Sequence, residues 1–176
     1  MTPTLYIFSG LPAVGKTTLA RQLAAHLKSV YLRIDTIEQA LREVCGIDVQ
    51  GEGYDLAYRL ASTNLKMGLS VIADSCNPIQ RTRDEWDRTA LNASATSVNI
   101  EIICSNEEEN RTRVECRQPT ITGLKLPSWD EVLHRDYDAW TRERIVIDTS
   151  GRTEDQSFGE LLSRLSIKDA APGNLA

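Results

Sequence analysis

Short apolar runs alternate with stretches of helical periodicity along most of this chain. Five runs have the length and composition of buried strands, at residues 5–8, 30–34, 70–73, 98–103 and 144–147. Between the first two, apolar residues recur at helical spacing from Lys16 to Leu27. Because regular alternation of strands and helices is typical of a parallel sheet covered on both faces, the pattern predicts an α/β fold.

Two segments interrupt the alternation. Residues 36–67 hold two helical stretches around a glycine-bearing loop, an insertion of the kind that covers a substrate site. Residues 107–127 begin as a highly charged helix and then meet Pro119, Gly123 and Pro127, which predicts a lid segment. Helical character returns at 128–140. We therefore expect one domain over residues 1–168 and a disordered tail at 169–176.

Composition narrows the function classes. The chain has 176 residues, enough for one domain with its own core. Its 20 basic and 25 acidic residues give a net charge of −5, so no overall positive field attracts nucleic acid or an anionic membrane. The four cysteines lack the spacing of a zinc or redox site, and no stretch is apolar enough to span a bilayer. These features predict a cytoplasmic protein with reduced thiols.

Residues 10–17 read GLPAVGKT and match the phosphate-loop pattern GxxxxGK[ST]. Such a loop needs glycine where backbone N–H groups converge on phosphate oxygens, and the helix that follows adds its positive N-terminal end. The predicted nucleotide-binding residues are Gly10, Leu11, Pro12, Ala13, Val14, Gly15, Lys16, Thr17 and Thr18. Lys16 is expected to neutralise the β- and γ-phosphates of ATP, and Thr17 to ligate Mg²⁺.

Two carboxylates follow predicted strands. Asp35 comes after the second strand, at the edge where ligands of open α/β sheets bind, and could accept the proton of an acceptor hydroxyl. It could also cap the next helix. Asp74 ends the third strand and is predicted on the metal side of the site, bonded to Thr17 or to a water on Mg²⁺. The alternative for Asp74 is a turn residue.

Three arginines in the lid segment are candidates for phosphate binding. Arg113 and Arg117 share a helix face at i,i+4 spacing and are expected to stabilise charge during transfer, whereas Arg111 lies elsewhere and is assigned to nucleotide binding. The alternative is a solvated helix with ion pairs to the neighbouring glutamates. Arg81, near the start of a later helix, could face either substrate or water.

With the phosphate loop, Asp35, Asp74 and the arginine segment, the chain resembles small P-loop kinases related to the 5′-kinase module of polynucleotide kinase, chloramphenicol phosphotransferase, gluconate kinase and the zeta toxins. The resemblance implies a three-layer P-loop NTPase fold with a five-stranded parallel sheet ordered 2-3-1-4-5. It also implies that Asp35 is the general base, that Asp74 lies beside Thr17, and that residues 149–152 lie near adenine.

The leading hypothesis is therefore transfer of the γ-phosphoryl group from MgATP to a hydroxyl of a small molecule. The nearest enzymatic alternative is a polynucleotide or nucleotide 5′-hydroxyl kinase. Polynucleotide kinases have an arginine shortly after the catalytic aspartate, where this chain has Thr36, Ile37 and Glu38, which argues against a nucleic-acid acceptor. An alternative of another class is a nucleotide-dependent regulatory ATPase or switch.

Overall fold

A five-stranded parallel sheet forms the centre of the computed structural model, which describes residues 2–167; the predicted tail at 169–176 lies outside them. The strands are β1 (Thr4–Ser9), β2 (Val30–Arg33), β3 (Val71–Asp74), β4 (Thr96–Ile103) and β5 (Ile145–Asp148). Their spatial order is β2-β3-β1-β4-β5, and every neighbouring pair is parallel. Both the α/β fold and the strand order are confirmed.

Helices cover both faces of the sheet. They are α1 (Lys16–Leu27), α2 (Ile34–Ala40), α3 (Glu52–Lys66), α4 (Gln80–Asn92), α5 (Glu107–Cys116), α6 (Trp129–Leu133) and α7 (Glu154–Arg164), with a π-helical turn at Leu41–Cys45 after α2. Helices α1 and α7 pack on one face, and α3 and α4 on the other. Within residues 2–167, no helix is long and apolar enough to cross a membrane.

The central strand β1 divides the core into two clusters. Because successive side chains of a strand point to opposite faces, Leu5 and Ile7 pack with the α3 and α4 side, where Trp86 is fully buried. Phe8 packs with the α1 and α7 side. The strand is thus buried on both faces, and its carboxyl end reaches the functional edge of the sheet in a fixed position.

The helix expected across residues 128–140 is wrong beyond Leu133, where α6 ends. The fully buried guanidinium of Arg83 donates to the backbone carbonyls of Asn77, Pro78 and Asp138 at 3.0–3.1 Å and to that of Ala139 at 3.4 Å. It also lies over the rings of Trp140 and Tyr137, 4.0 and 5.0 Å from their centroids. The Asp138 N–H also donates to the Pro78 carbonyl at 2.8 Å, and the Asp138 carboxylate accepts from the Gln80 N–H at 2.7 Å. A helix through residue 138 would direct that N–H to the carbonyl four residues earlier, so these contacts with the start of α4 favour an irregular backbone here.

We expect Arg83→Met to lower the free energy of unfolding by about 3 kcal/mol or more, because four carbonyls lose a charged donor and two rings lose their cation. Urea unfolding followed by circular dichroism measures the change. Arg81→Met, two residues earlier and exposed, is the matched control and should stay near the wild-type value. Equal stability of the two variants would contradict the structural role of Arg83.

Candidate active site

The loop between β1 and α1 has a backbone that few side chains tolerate. Gly10 has a φ of 142°, and a Cβ there would lie 2.3 Å from the Ile102 carbonyl oxygen. Ala13 and Gly15 also have positive φ values, of 64° and 90°. Gly15 is the N-cap of α1 and has no side chain with which to cap it, so the first N–H groups of the helix are open to an anion.

Three hydrogen bonds with distant parts of the chain hold this loop in place. The Gly10 N–H donates to the Cys76 carbonyl at 3.1 Å. The Asn110 amide donates to the Pro12 carbonyl at 3.3 Å, and the Thr149 hydroxyl donates to the Val14 carbonyl at 2.9 Å. The phosphate loop is therefore preorganised by residues that follow β3, lie in α5 and follow β5.

A single cavity of about 1100 Å³ opens above the loop. Of the nine residues predicted to bind nucleotide in residues 10–18, six line it: Pro12, Ala13, Gly15, Lys16, Thr17 and Thr18. The other three, Gly10, Leu11 and Val14, are not in its lining; Leu11 and Val14 pack against the core instead. Asp35 lines the same cavity, so the structure brings the phosphate loop and the candidate base together.

Asp74 lies at the end of β3 with only 2% of its side chain exposed. Its Oδ1 is 3.7 Å from Lys16 Nζ, and its Oδ2 accepts a 2.6 Å hydrogen bond from the Tyr31 hydroxyl. Burial, and then the charge of Asp74, raise the pKa of Tyr31, so this phenol stays protonated and donates. Asp74 is thus next to the phosphate loop as expected, but in the described residues it bonds Tyr31 rather than Thr17.

Asp35 lies in the first turn of α2, one residue after the helix begins. The N-cap position belongs to Arg33, so Asp35 does not cap the helix. Half of its side chain is exposed, and its Oδ2 is 3.3 Å from Arg33 Nη2. A half-exposed carboxylate that lines the cavity can accept a hydrogen bond from a hydroxyl that enters it.

The two i,i+4 arginines of α5 reach different parts of the cavity. Arg113 donates to the Thr149 hydroxyl at 2.8 Å and to the Thr149 carbonyl at 3.0 Å, and it pairs with Glu109. Arg117, at the end of α5, is half-buried beside Asp35, and its Nε and Nη2 are buried without a hydrogen-bond partner in the described residues. Burial lowers the pKa of Arg117.

Arg111 is placed outside the cavity. It is exposed, and its guanidinium pairs with Glu115 at 2.9 Å on the outer side of α5. The structure therefore does not bring Arg111 to the residues predicted with it for nucleotide binding. Arg81 is also exposed and does not line the cavity.

Several cavity residues were missed from the sequence. Glu38 and Gln39 lie on α2 within a turn of Asp35, and burial raises the pKa of Glu38 even though Arg42 pairs with it. Helical spacing from Asp35 was the signal that could have found Glu38. Thr149 is expected near adenine from the family resemblance alone. Its contacts with Val14 and Arg113 had no local signal, because they join residues far apart in the chain.

The lid segment, residues 107–127, comprises α5 and the loop after it. In the structure this loop lies against the start of α2: Thr120 accepts a 2.8 Å hydrogen bond from Arg33, and Gly123 approaches Gln39 and Glu43 so closely that a Cβ would lie 2.7 and 2.8 Å from their side chains. These contacts extend from the N-cap of α2 to the π-helical turn after it, so the loop covers the Asp35 end of the cavity. Its movement as a lid stays a prediction.

Comparisons with known proteins agree with this architecture. A search of curated proteins finds no match. Among solved structures, Chaetomium thermophilum Kti12 in complex with ADP-AlF3 is 21% identical, with a TM-score of 0.67 and coverage of 96% of this chain and 100% of that one. The APS kinase CysC of Mycobacterium tuberculosis in complex with AMPPNP and APS is 16% identical, with a TM-score of 0.67 and coverage of 94% and 98%.

A gluconokinase from Sinorhizobium meliloti 1021 is 16% identical, with a TM-score of 0.66 and coverage of 94% of this chain and 93% of that one. These likenesses show the fold, and they confirm the resemblance to small P-loop kinases. A family model described as an AAA domain matches residues 5–133, which include the phosphate loop, Asp35, Asp74 and α5. The chain therefore belongs to this AAA-domain family of P-loop proteins.

Proposed function

We propose that this protein is a kinase that transfers the γ-phosphoryl group of ATP to a hydroxyl of a small molecule. The observation that carries the proposal is the single cavity that joins the phosphate loop to Asp35 under the lid loop. A hydrolytic switch needs a site for nucleotide and water only. The space beyond Lys16, with its own carboxylate, fits a second substrate. The kinases among the similar structures support the same reaction class.

The two ends of the cavity would then have separate tasks. Thr149, Arg152 and Arg113 lie at the end formed by β5 and α7, where the nucleoside would bind. Lys16 and the open N–H groups of α1 would hold the phosphates between the two ends. Asp35 would accept the proton of the acceptor hydroxyl as its oxygen attacks the γ-phosphorus in line, and ADP would leave on the far side.

Thr17 and Asp74 fit a magnesium ion. Both offer the hard oxygen donors that Mg²⁺ prefers, Thr17 in the cavity lining and Asp74 beside Lys16. No cluster of three or more His, Cys, Asp or Glu side chains suited to a metal occurs within residues 2–167, and Mg²⁺ in such sites binds mainly to phosphates and water. When bound, Mg²⁺ would neutralise charge on the ATP phosphates.

The reaction class can be tested by a metabolite screen with γ-labelled ATP. We expect label to appear in a small acceptor with wild-type protein and to be absent with Lys16→Ala, which lacks the ammonium that neutralises the phosphates. Oligonucleotides with 5′-hydroxyl ends are included as a separate arm. Labelling of the oligonucleotides alone would favour a polynucleotide kinase. Label released only as phosphate, in response to a protein partner, would favour a regulatory ATPase.

We expect Asp35→Asn to lower kcat with the identified acceptor by roughly 10²- to 10⁴-fold, because an amide cannot take the proton, while affinity for an ATP analogue is retained. Steady-state kinetics and calorimetry measure the two quantities. Asp55→Asn, an exposed carboxylate in the first turn of α3, is the matched control. Wild-type turnover by Asp35→Asn would remove Asp35 from the role of base.

The positions of Arg113 and Arg117 predict that their variants affect different steps, nucleotide binding in one case and the reaction with the acceptor in the other. Arg113→Gln should weaken binding of an ATP analogue about tenfold, because Arg113 holds Thr149 at the nucleotide end. Arg117→Gln should leave that affinity near the wild-type value and lower kcat/KM for the acceptor, because Arg117 lies beside Asp35 and its Nε and Nη2 have no partner in the described residues. Arg88→Gln, on the exposed side of α4, is the control. The same defect in both lid variants would contradict the separation.

A further inference from the structure

The charge of the cavity is opposite to that of the chain. Nine Lys and Arg residues and three Asp and Glu residues line it, although the whole protein has a net charge of −5. Lys16, Arg113 and Arg152 are at the parts assigned to ATP. Arg21 lies on α1. The other five are grouped around Asp35 and the lid loop: Arg33, Arg42, Arg117, Lys125 and Arg135.

Ion pairs within the protein account for two of these five cations. Arg33 pairs with Asp35 at 3.3 Å, and Arg42 with Glu38, also at 3.3 Å. Among residues 2–167, no carboxylate lies within the 4.0 Å of an ion pair from Arg117, Lys125 or Arg135. Glu131 is near enough to Lys125 and Arg135 for their charges to lower its pKa, but its carboxylate is engaged by the backbone and hydroxyl of Ser128.

Arg117 is the most informative of the three. It is half-buried, and within residues 2–167 its Nε and Nη2 have no hydrogen-bond partner. The charge of Asp35 favours its charged form, but Asp35 forms its ion pair with Arg33, and the positive charges of Arg33 and Arg135 oppose that of Arg117. A desolvated guanidinium that faces other cations is costly unless an anion completes the arrangement. Its planar donors suit the two oxygens of a carboxylate or a phosphate.

We propose that the acceptor is itself an anion: a small hydroxyl compound with a carboxylate or phosphate group bound by Arg117, Lys125 and Arg135, so that its hydroxyl lies at Asp35. The inference rests on the proposed kinase function, because it describes the second substrate of that reaction. Arg135 and Lys125 would be binding residues for the acceptor.

Binding can be measured without turnover. The protein is first saturated with AMPPNP and Mg²⁺, so that the phosphate loop is filled, and then titrated by calorimetry with matched compounds. Glycerol is compared with glycerate and glycerol 3-phosphate, and glucose with glucuronate and glucose 6-phosphate. Inorganic phosphate serves as the minimal anion. The carboxylate and phosphate arms distinguish the two sources of negative charge.

We expect at least one anion to bind about tenfold or more tightly than its neutral counterpart, because each charged hydrogen bond is stronger than a neutral one. Arg135→Gln and Lys125→Gln should each remove most of this preference. Both side chains are exposed, so the variants should fold. Arg88→Gln, an exposed arginine on α4 outside the cavity, should retain it.

The inference is overturned if neutral compounds bind as tightly as their anions, if Arg135→Gln and Lys125→Gln both leave the preference intact, or if no anion, inorganic phosphate included, binds the AMPPNP-loaded protein. The kinase function is judged separately by transfer of label from γ-labelled ATP to the compound. A neutral compound that becomes phosphorylated would leave the kinase standing and remove the anionic acceptor. Anion binding without phosphoryl transfer to any compound would leave the anion-binding site standing and would contradict the kinase function.

Discussion

The turn from β1 into α1 is the constraint on which the other parts of the site depend. Its first residue passes under the Ile102 carbonyl oxygen, where a Cβ would be 2.3 Å away, and its last residue starts a helix without any side-chain cap. Such a backbone is costly by itself. Hydrogen bonds with Cys76, Asn110 and Thr149 hold it, so the geometry of the phosphate loop is fixed by residues that follow β3, lie in α5 and follow β5.

Arginines of helix α5 and its C-terminal end lie at both ends of the cavity. Residues four apart on a helix lie on one face about 5–6 Å from each other, which is enough for Arg113 to reach Thr149 while Arg117 lies beside Asp35. The loop after α5 is then fixed by the hydrogen bond between Thr120 and Arg33. One segment thus contacts the loop after β5, the phosphate loop and β2.

The cavity is lined by more cationic than anionic side chains, although the chain as a whole has a net charge of −5. A cationic cavity in a chain of net negative charge attracts small anions to one place. Parallel strands produce this arrangement, because all of their carboxyl ends, and the loops that follow them, meet at one edge. Asp74 is buried at the end of β3, and its charge is balanced by Lys16, by Arg33 and by a hydrogen bond from Tyr31.

The sequence by itself determined the α/β fold, the positions of the strands and the phosphate loop, because these depend on local periodicity and on a backbone that only glycine tolerates at Gly10. It also selected Asp35 and Asp74 as candidates, since both follow strands. Only the tertiary structure decided which arginine faces which end, that Asp74 bonds Tyr31, and that the segment after Leu133 is not helical. These outcomes depend on contacts between distant residues, such as Arg83 with the Asp138 carbonyl, which no local pattern encodes.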